Sequence, residues 1–192
     1  MSWHPKDGLL NGTLEGDEPL PDHIVAHFDG LCEPRNPGGV ATVAWAILPG
    51  INEKPLRQFY GVLADGGRRA TNNWAEYTAF GTLLRYLAEN WRGISVEIYG
   101  DSALVIKQFN YEWAVNAPHL IELNRRCQEL AQQIQLRSNL QACWLPREEN
   151  MAADGLSEQA FFDYVRKHKP YYEKQFHRVK EERRKKKEEK RG

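Results

Sequence analysis

The sequence predicts a mixed α/β fold, with three antiparallel strands, two further strands parallel to the first, and helices flanking the resulting five-stranded sheet. Three observations predict it. Three runs rich in β-formers lie before residue 65 and are joined by connections too short for anything but antiparallel pairing. After them, single strand-like runs alternate with helical periodicity, the pattern of parallel crossovers. The order read along the chain is β-β-β-α-β-α-α-β-α, with no internal repeat.

The elements follow in turn. Residues 1–22 are rich in Gly, Pro, Asp and Glu without periodicity, and are expected to form a loosely ordered extension. The first strand is Ile24–Asp29, the second Thr42–Leu48 and the third Leu56–Leu63, with turn chemistry in Pro49-Gly50-Ile51-Asn52. A helix is expected from Asn72 to Asn90, capped by Thr71, Asn72 or Asn73, with Trp74, Tyr77, Gly81, Leu84, Ala88 and Trp91 as its packing stripe. Ser95–Tyr99 is the fourth strand and Ser102–Gln108 a short helix. Pro118 starts a helix to about Leu136, with Leu120, Leu123, Cys127, Leu130 and Ile134 on one face. Gln141–Leu145 is the fifth strand, and a last helix runs from Asn150 to about His168. The principal domain therefore spans 23–168, followed by a charged segment over 169–192.

The 192 residues fit one domain able to bury a real core. No apolar run approaches the roughly 18 residues of a membrane span, so no membrane partner is expected. Met1–Asp7 shows no apolar leader. Three widely spaced cysteines, Cys32, Cys127 and Cys143, do not suggest a disulfide framework, and a reducing, cytoplasmic setting is expected. The formal net charge of zero conceals an asymmetry. Residues 161–192 carry 13 Lys/Arg against 6 Asp/Glu, and the remainder is correspondingly acidic. Such a segment is either a solvated helix or a tether for polyanions.

Four carboxylates stand at informative places. Asp29 and Asp101 end apolar strands beside a glycine, whereas Glu76 and Asp154 lie where helices begin. Two strand ends and two helix starts can converge in space. Four oxygen ligands suit hard divalent cations such as Mg2+, and a cation pair held in this way suits phosphoryl transfer.

These acids lie in segments with further content. Asp29-Gly30-Leu31-Cys32-Glu33-Pro34-Arg35-Asn36-Pro37-Gly38-Gly39, Thr71-Asn72-Asn73-Trp74-Ala75-Glu76, Asp101-Ser102 and Asn150-Met151-Ala152-Ala153-Asp154 occur in that order. Together they resemble the D-G-x-C…N-P-G-G, T-N-N-x-x-E, D-S and N-x-x-x-D segments of type 1 ribonuclease H, in its short prokaryotic form, over about Ile24–Ala160. The resemblance implies an endonuclease that hydrolyses the RNA strand of RNA–DNA hybrids and leaves 5′-phosphate and 3′-hydroxyl ends. It implies two Mg2+ ions, with Mn2+ as a substitute, held by Asp29, Glu76, Asp101 and Asp154. It also implies substrate contacts from Gly30, Cys32, Asn36, Asn72 and Asn73 to the RNA strand, and from Arg69 and Thr71 to a phosphate of the DNA strand. Trp113 would stack on a DNA sugar, or is simply a core residue. Double-stranded RNA is a second candidate partner.

The chain departs from the family pattern in three places. The loop after Asp29 is one residue longer, with Arg35 as the candidate insertion. Trp113–Pro118 leaves no room for the basic protrusion of many members. The segment before Asn150 lacks the family's histidine, so a product-release role falls to Arg147, to Glu148 or to neither. Other nucleases of the superfamily share the first-strand acid, but the Thr71-Asn72-Asn73 segment and the Asn-Pro-Gly-Gly loop argue against them. A non-catalytic hybrid-binding module has no need of four mutually repelling acids.

Overall fold

The structure, a computed structural model, describes residues 11–15, 21–51 and 53–189. The strands are β1 (Asn11–Glu15), β2 (His23–Glu33), β3 (Val40–Leu48), β4 (Arg57–Asp65), β5 (Ser95–Gly100) and β6 (Asn139–Trp144). The helices are α1 (Asn72–Asn90), α2 (Ala103–Phe109), α3 (Pro118–Gln135), α4 (Met151–His168) and α5 (Pro170–Glu189), with a 3-10 turn at Arg147–Glu149. One sheet takes the order β1-β4-β3-β2-β5-β6. β2, β3 and β4 pair antiparallel, and β5 and β6 run parallel to β2, so the expected pairing of all five strands holds.

Two differences concern the chain ends. Within the segment expected to be loosely ordered, Asn11–Glu15 forms a sixth strand, antiparallel to β4. The outer edge of β4 offers unpaired backbone groups, and a short polar strand can satisfy them without any hydrophobic periodicity of its own. Residues 1–10 and 16–20 of that segment lie outside the described residues. In the charged segment, Pro170–Glu189 forms α5 and buries Tyr172 and Phe176 against Leu31, Val40, Phe161 and Val165. Two aromatics at i and i+4 give this otherwise charged helix one apolar contact line.

The sheet separates two cores because alternate residues of β2 face opposite ways. Ile24, Ala26 and Phe28 join Trp45, Phe80, Leu84 and Ile98 in the large core under α1, α2 and α3. Leu31 faces α4 and α5 on the other side. The central position of β2 explains why nearly every one of its residues is buried.

β2 is also longer than the sequence suggests. It continues through Gly30 to Glu33, so Asp29 lies inside the strand. Pairing with β3 persists from Val25 opposite Leu48 to Glu33 opposite Val40. Gly30 is tolerated there because the backbone of α1 sits directly on it: a Cβ would lie 2.1 Å from the Glu76 amide nitrogen. Of the three candidate caps for α1, Thr71 is the one used, accepting a hydrogen bond from the Trp74 amide at 3.2 Å. That leaves Asn72 and Asn73 in the first turn.

Candidate active site

Two parallel strands and two helix starts bring the four acids to one end of the sheet. His27 lies opposite Tyr99 in the β2–β5 register, which carries Asp29 and Asp101 to the same level two residues further on. Gly30 lets α1 approach closely enough to place Glu76 beside Asp29. Asp154 sits in the first turn of α4.

Each carboxylate has a distinct partner. Ser157 donates its hydroxyl to Asp29, Ser102 donates to Glu76 at 2.6 Å, and Arg147 pairs with Asp154. The Asn150 amide donates to the Phe28 carbonyl at 2.9 Å and to Asp101 at 3.3 Å. Its oxygen meets the His27 ring nitrogen Nδ1 at 3.1 Å, so one buried side chain ties β2 to the end of β5. His27 itself is buried, stacked on Tyr99, and burial holds its pKa below the ordinary value against the opposing Asn150 hydrogen bond. It is a packed strand histidine, as its place in the strand suggests.

The electrostatics single out two acids. Burial pushes the Asp29 carboxyl up to about 7, the Ser157 hydrogen bond opposes this, and the charges of Asp101 and Asp154 push it further. Burial likewise raises Glu76 to about 7, opposed by Ser102 and reinforced by Asp29 and Asp101. The Arg147 cation relieves both. Burial works against that cation, but Asp154, Asp29 and Asp101 outweigh it and hold the guanidinium protonated. The donor set is therefore all oxygen, mutually repelling and partly protonated near neutrality, a set that a hard divalent cation would satisfy. As they stand, no three His, Cys, Asp or Glu side chains among the described residues are arranged to hold an ion. Ser157, Ser102 and Arg147 occupy the carboxylates in the present arrangement.

The remaining sequence-derived positions divide into three groups. Asp29, Gly30, Asn72, Glu76 and Arg147 line one cleft of about 670 Å3. Asn36, Cys32 and Asn72 form a linked set behind it: Asn36 accepts from the Asn72 amide at 3.2 Å, and the Asn72 side-chain oxygen accepts from the Cys32 amide at 2.7 Å. The Cys32 side chain does not reach the cleft. It is fully buried, and its thiol donates to the Ala70 and Arg35 carbonyls, tying the loop together. Arg69 and Asn73 are exposed, and Thr71 serves as the helix cap. Trp113 is half exposed rather than part of the core, with the Lys107 ammonium 5.1 Å from its ring centroid. Only residues 110–117 connect α2 to α3, which leaves no protrusion there. Arg147, itself about half exposed, reaches the acid cluster through its ion pair with Asp154, and Glu148 is exposed in the adjoining turn.

Sequence reasoning missed Ser157, Ser102 and the role of Asn150. Ser157 stands three residues after Asp154 on α4, so a helical reading of that segment could have placed both side by side. Ser102 follows Asp101 directly, but only the fold brings it to Glu76. The approach of α5 to the cleft carried no local signal.

A family model described as reverse transcriptase-like matches residues 28–160. The chain belongs to this family. Among similar proteins, ribonuclease HI of Halobacterium salinarum is 34% identical over 143 residues, which cover 73% of this chain. The chain spans only 65% of that protein's length. The crystal structure of RNase H1 from the same archaeon superposes with a TM-score of 0.57 at 32% identity, covering 73% of this chain and 98% of that one. The N-terminal RNase H domain of Rv2228c from Mycobacterium tuberculosis does so with a TM-score of 0.59 at 29% identity, covering 77% and 99%. The fold of this reverse transcriptase-like chain is thus the ribonuclease H fold. No helix among its described residues is long and apolar enough to cross a membrane.

Proposed function

We propose that this chain is an endonuclease that hydrolyses the RNA strand of RNA–DNA hybrids, leaving 5′-phosphate and 3′-hydroxyl ends. The observation that carries the reading is the convergence of Asp29 and Glu76 with Asp101 and Asp154. Two of the four are raised to about 7 by burial and by one another. Such a cluster costs stability unless its charges are neutralised by protons or by a bound cation, and buried acids perturbed in this way mark functional sites. The 34% identity to a protein named ribonuclease HI supports the same reading.

Asp29, Glu76, Asp101 and Asp154 would hold two divalent cations, Mg2+ or in substitution Mn2+. When bound, these would supply an activated water and neutralise charge on the departing 3′ oxygen. The protein's own groups do the rest. Asp29 and Glu76, raised to about 7, would have to be ionised to hold the cations. Ser157 and Ser102 orient the two carboxylates, and Asn150 fixes Asp101 against the end of β2. Asn72 has its oxygen committed to Cys32, so its amide hydrogens remain to donate to a ribose hydroxyl, the group that distinguishes RNA from DNA. Asn36 holds Asn72 in place, and Gly30 lines the cleft beside Asn72. Arg69 and Thr71 would receive the DNA strand, and Trp113, exposed beyond α2, would stack on its sugar. Arg147, now paired with Asp154, is the residue that a product-release role would fall to.

A labelled RNA–DNA hybrid, the same sequence as a DNA duplex, and the RNA strand alone test this reading in parallel. The expected result is cleavage confined to the RNA of the hybrid. Equal cutting of the DNA duplex would overturn it.

A further inference from the structure

Helix α5 is the element that the functional reading leaves unused. Its first half is seated by Tyr172 and Phe176, and Arg35 of the lengthened loop donates to the Tyr172 hydroxyl at 2.6 Å. The second half then runs along the cleft. Lys180, Arg183 and Arg184 line the same 670 Å3 space as Asp29, Asn72 and Glu76.

One contact in this wall is unusual. Glu33 lies four residues after Asp29 on the same face of β2 and is only 3% exposed. Its Oε1 is paired with Arg183, while Oε2 is buried without a hydrogen-bond partner among the described residues. A half-satisfied buried carboxylate is costly, and a buried ion pair is a poor source of stability. What the pair does accomplish is direction. One N–H of the guanidinium is anchored from below, and the side chain, 57% exposed, holds its remaining donors at the cleft. An anchored guanidinium is a good phosphate ligand because its fork matches two oxygens without further ordering. Lys180 and Arg184 flank it, each in an ion pair of its own, with Glu158 and Glu188.

We infer that α5 is a wall of the nucleic-acid cleft, and that Arg183, aimed by the buried Glu33, binds a backbone phosphate beside the acid centre. Glu33 is a positioning residue in this arrangement. The inference rests on the proposed nucleic-acid substrate and assigns it a further contact, on a helix outside the 28–160 match to the family.

The test uses the full chain and binding isotherms of a labelled RNA–DNA hybrid at several salt concentrations, with chelator present so that nothing is cut. Arg183→Gln should raise Kd about fivefold to tenfold and reduce the log–log salt slope by about one unit, a readout that a purely structural role does not move. In a separate assay with Mg2+ in place of chelator, the single-turnover rate at saturating hybrid should change less than about twofold, the mark of lost uniform binding. Glu33→Gln should raise Kd less and keep the slope, because the cation stays but loses its aim. The double variant Glu33→Gln/Arg183→Gln leaves no stranded carboxylate and should lose the same slope as Arg183→Gln. Unchanged Kd and slope in both Arg183 variants would reduce the pair to a structural contact and overturn the inference while leaving the proposed activity standing. Tighter binding or faster cleavage would overturn it too, showing that α5 obstructs the cleft. Failure of the wild-type chain either to bind or to cut the hybrid would remove the proposed activity, and the phosphate contact with it.

Discussion

Asp29→Asn should slow cleavage of an RNA–DNA hybrid on the order of a thousandfold, a loss typical of removing a preorganised charge from a reacting centre. The same chain should melt several degrees higher than wild type at pH 8 in the presence of chelator. Both effects come from one carboxyl. In the folded protein its pKa is raised from 3.8 to about 7, chiefly by burial, so ionising it opposes folding. The contribution of this group to stability is therefore greatest below about pH 4 and is lost as pH rises through 7. Asparagine keeps an oxygen for the Ser157 hydroxyl but carries no charge to bury. The stability gap between variant and wild type should open between about pH 4 and 7 and then level off, at a few kcal/mol or less. Melts at pH 4, 6 and 8, beside single-turnover cleavage, measure both. Near-wild-type cleavage would remove Asp29 from the site, and a lower melting temperature at pH 8 would contradict the electrostatics.

Gly30→Ala should be strongly damaging for so small a substitution. The added Cβ would lie 2.1 Å from the Glu76 nitrogen and 2.3 Å from the Ala75 carbonyl carbon. Neither neighbour is a flexible side-chain end, so α1 as a whole must move by about 1 Å. The expected cost is about 3 kcal/mol, at the upper end for overpacking. Cleavage should fall further than stability alone explains, because the same shift carries Glu76 away from Asp29, and a misplacement of about 1 Å is worth roughly a hundredfold. Gly155→Ala is the natural control. It lies in α4 with nothing within 4 Å of the added methyl, so it should be neutral or stabilising by up to about 1 kcal/mol. Chemical denaturation and cleavage at a temperature where both variants are folded distinguish the two effects. Equal stability of Gly30→Ala and wild type would contradict the close approach of α1 to β2.

The sheet was legible in the sequence for a simple reason. β2 through β6 are each marked by apolar β-formers, and the connection lengths decide their relative direction. β1 was not legible, because a five-residue polar edge strand is specified by the open edge of β4 rather than by its own pattern. The full length of β2 is not legible because Asp29-Gly30 reads as a strand end. Its continuation depends on α1 packing on Gly30, a contact that no local pattern announces. The four acids could be located individually, since each stands in a recognisable local setting, although Asp29 lies inside its strand rather than at its end. Their hydroxyl and amide partners could not, because Ser157 on Asp29 and Ser102 on Glu76 join positions far apart in the chain. The basic segment left two readings open, a solvated helix or a tether. Its charges alone did not reveal that Tyr172 and Phe176 would seat it beside the cleft.

Analysis of the product ends tests the central claim most directly. The full chain is incubated with an RNA–DNA hybrid labelled on the RNA strand, with Mg2+ and with chelator. Internal cleavage is expected only with the divalent cation, giving fragments that carry 5′-phosphate and 3′-hydroxyl groups. Cleavage that persists in chelator, or fragments ending in a 2′,3′-cyclic phosphate, would mean that the ribose hydroxyl attacks and that the four carboxylates do not do the chemistry assigned to them.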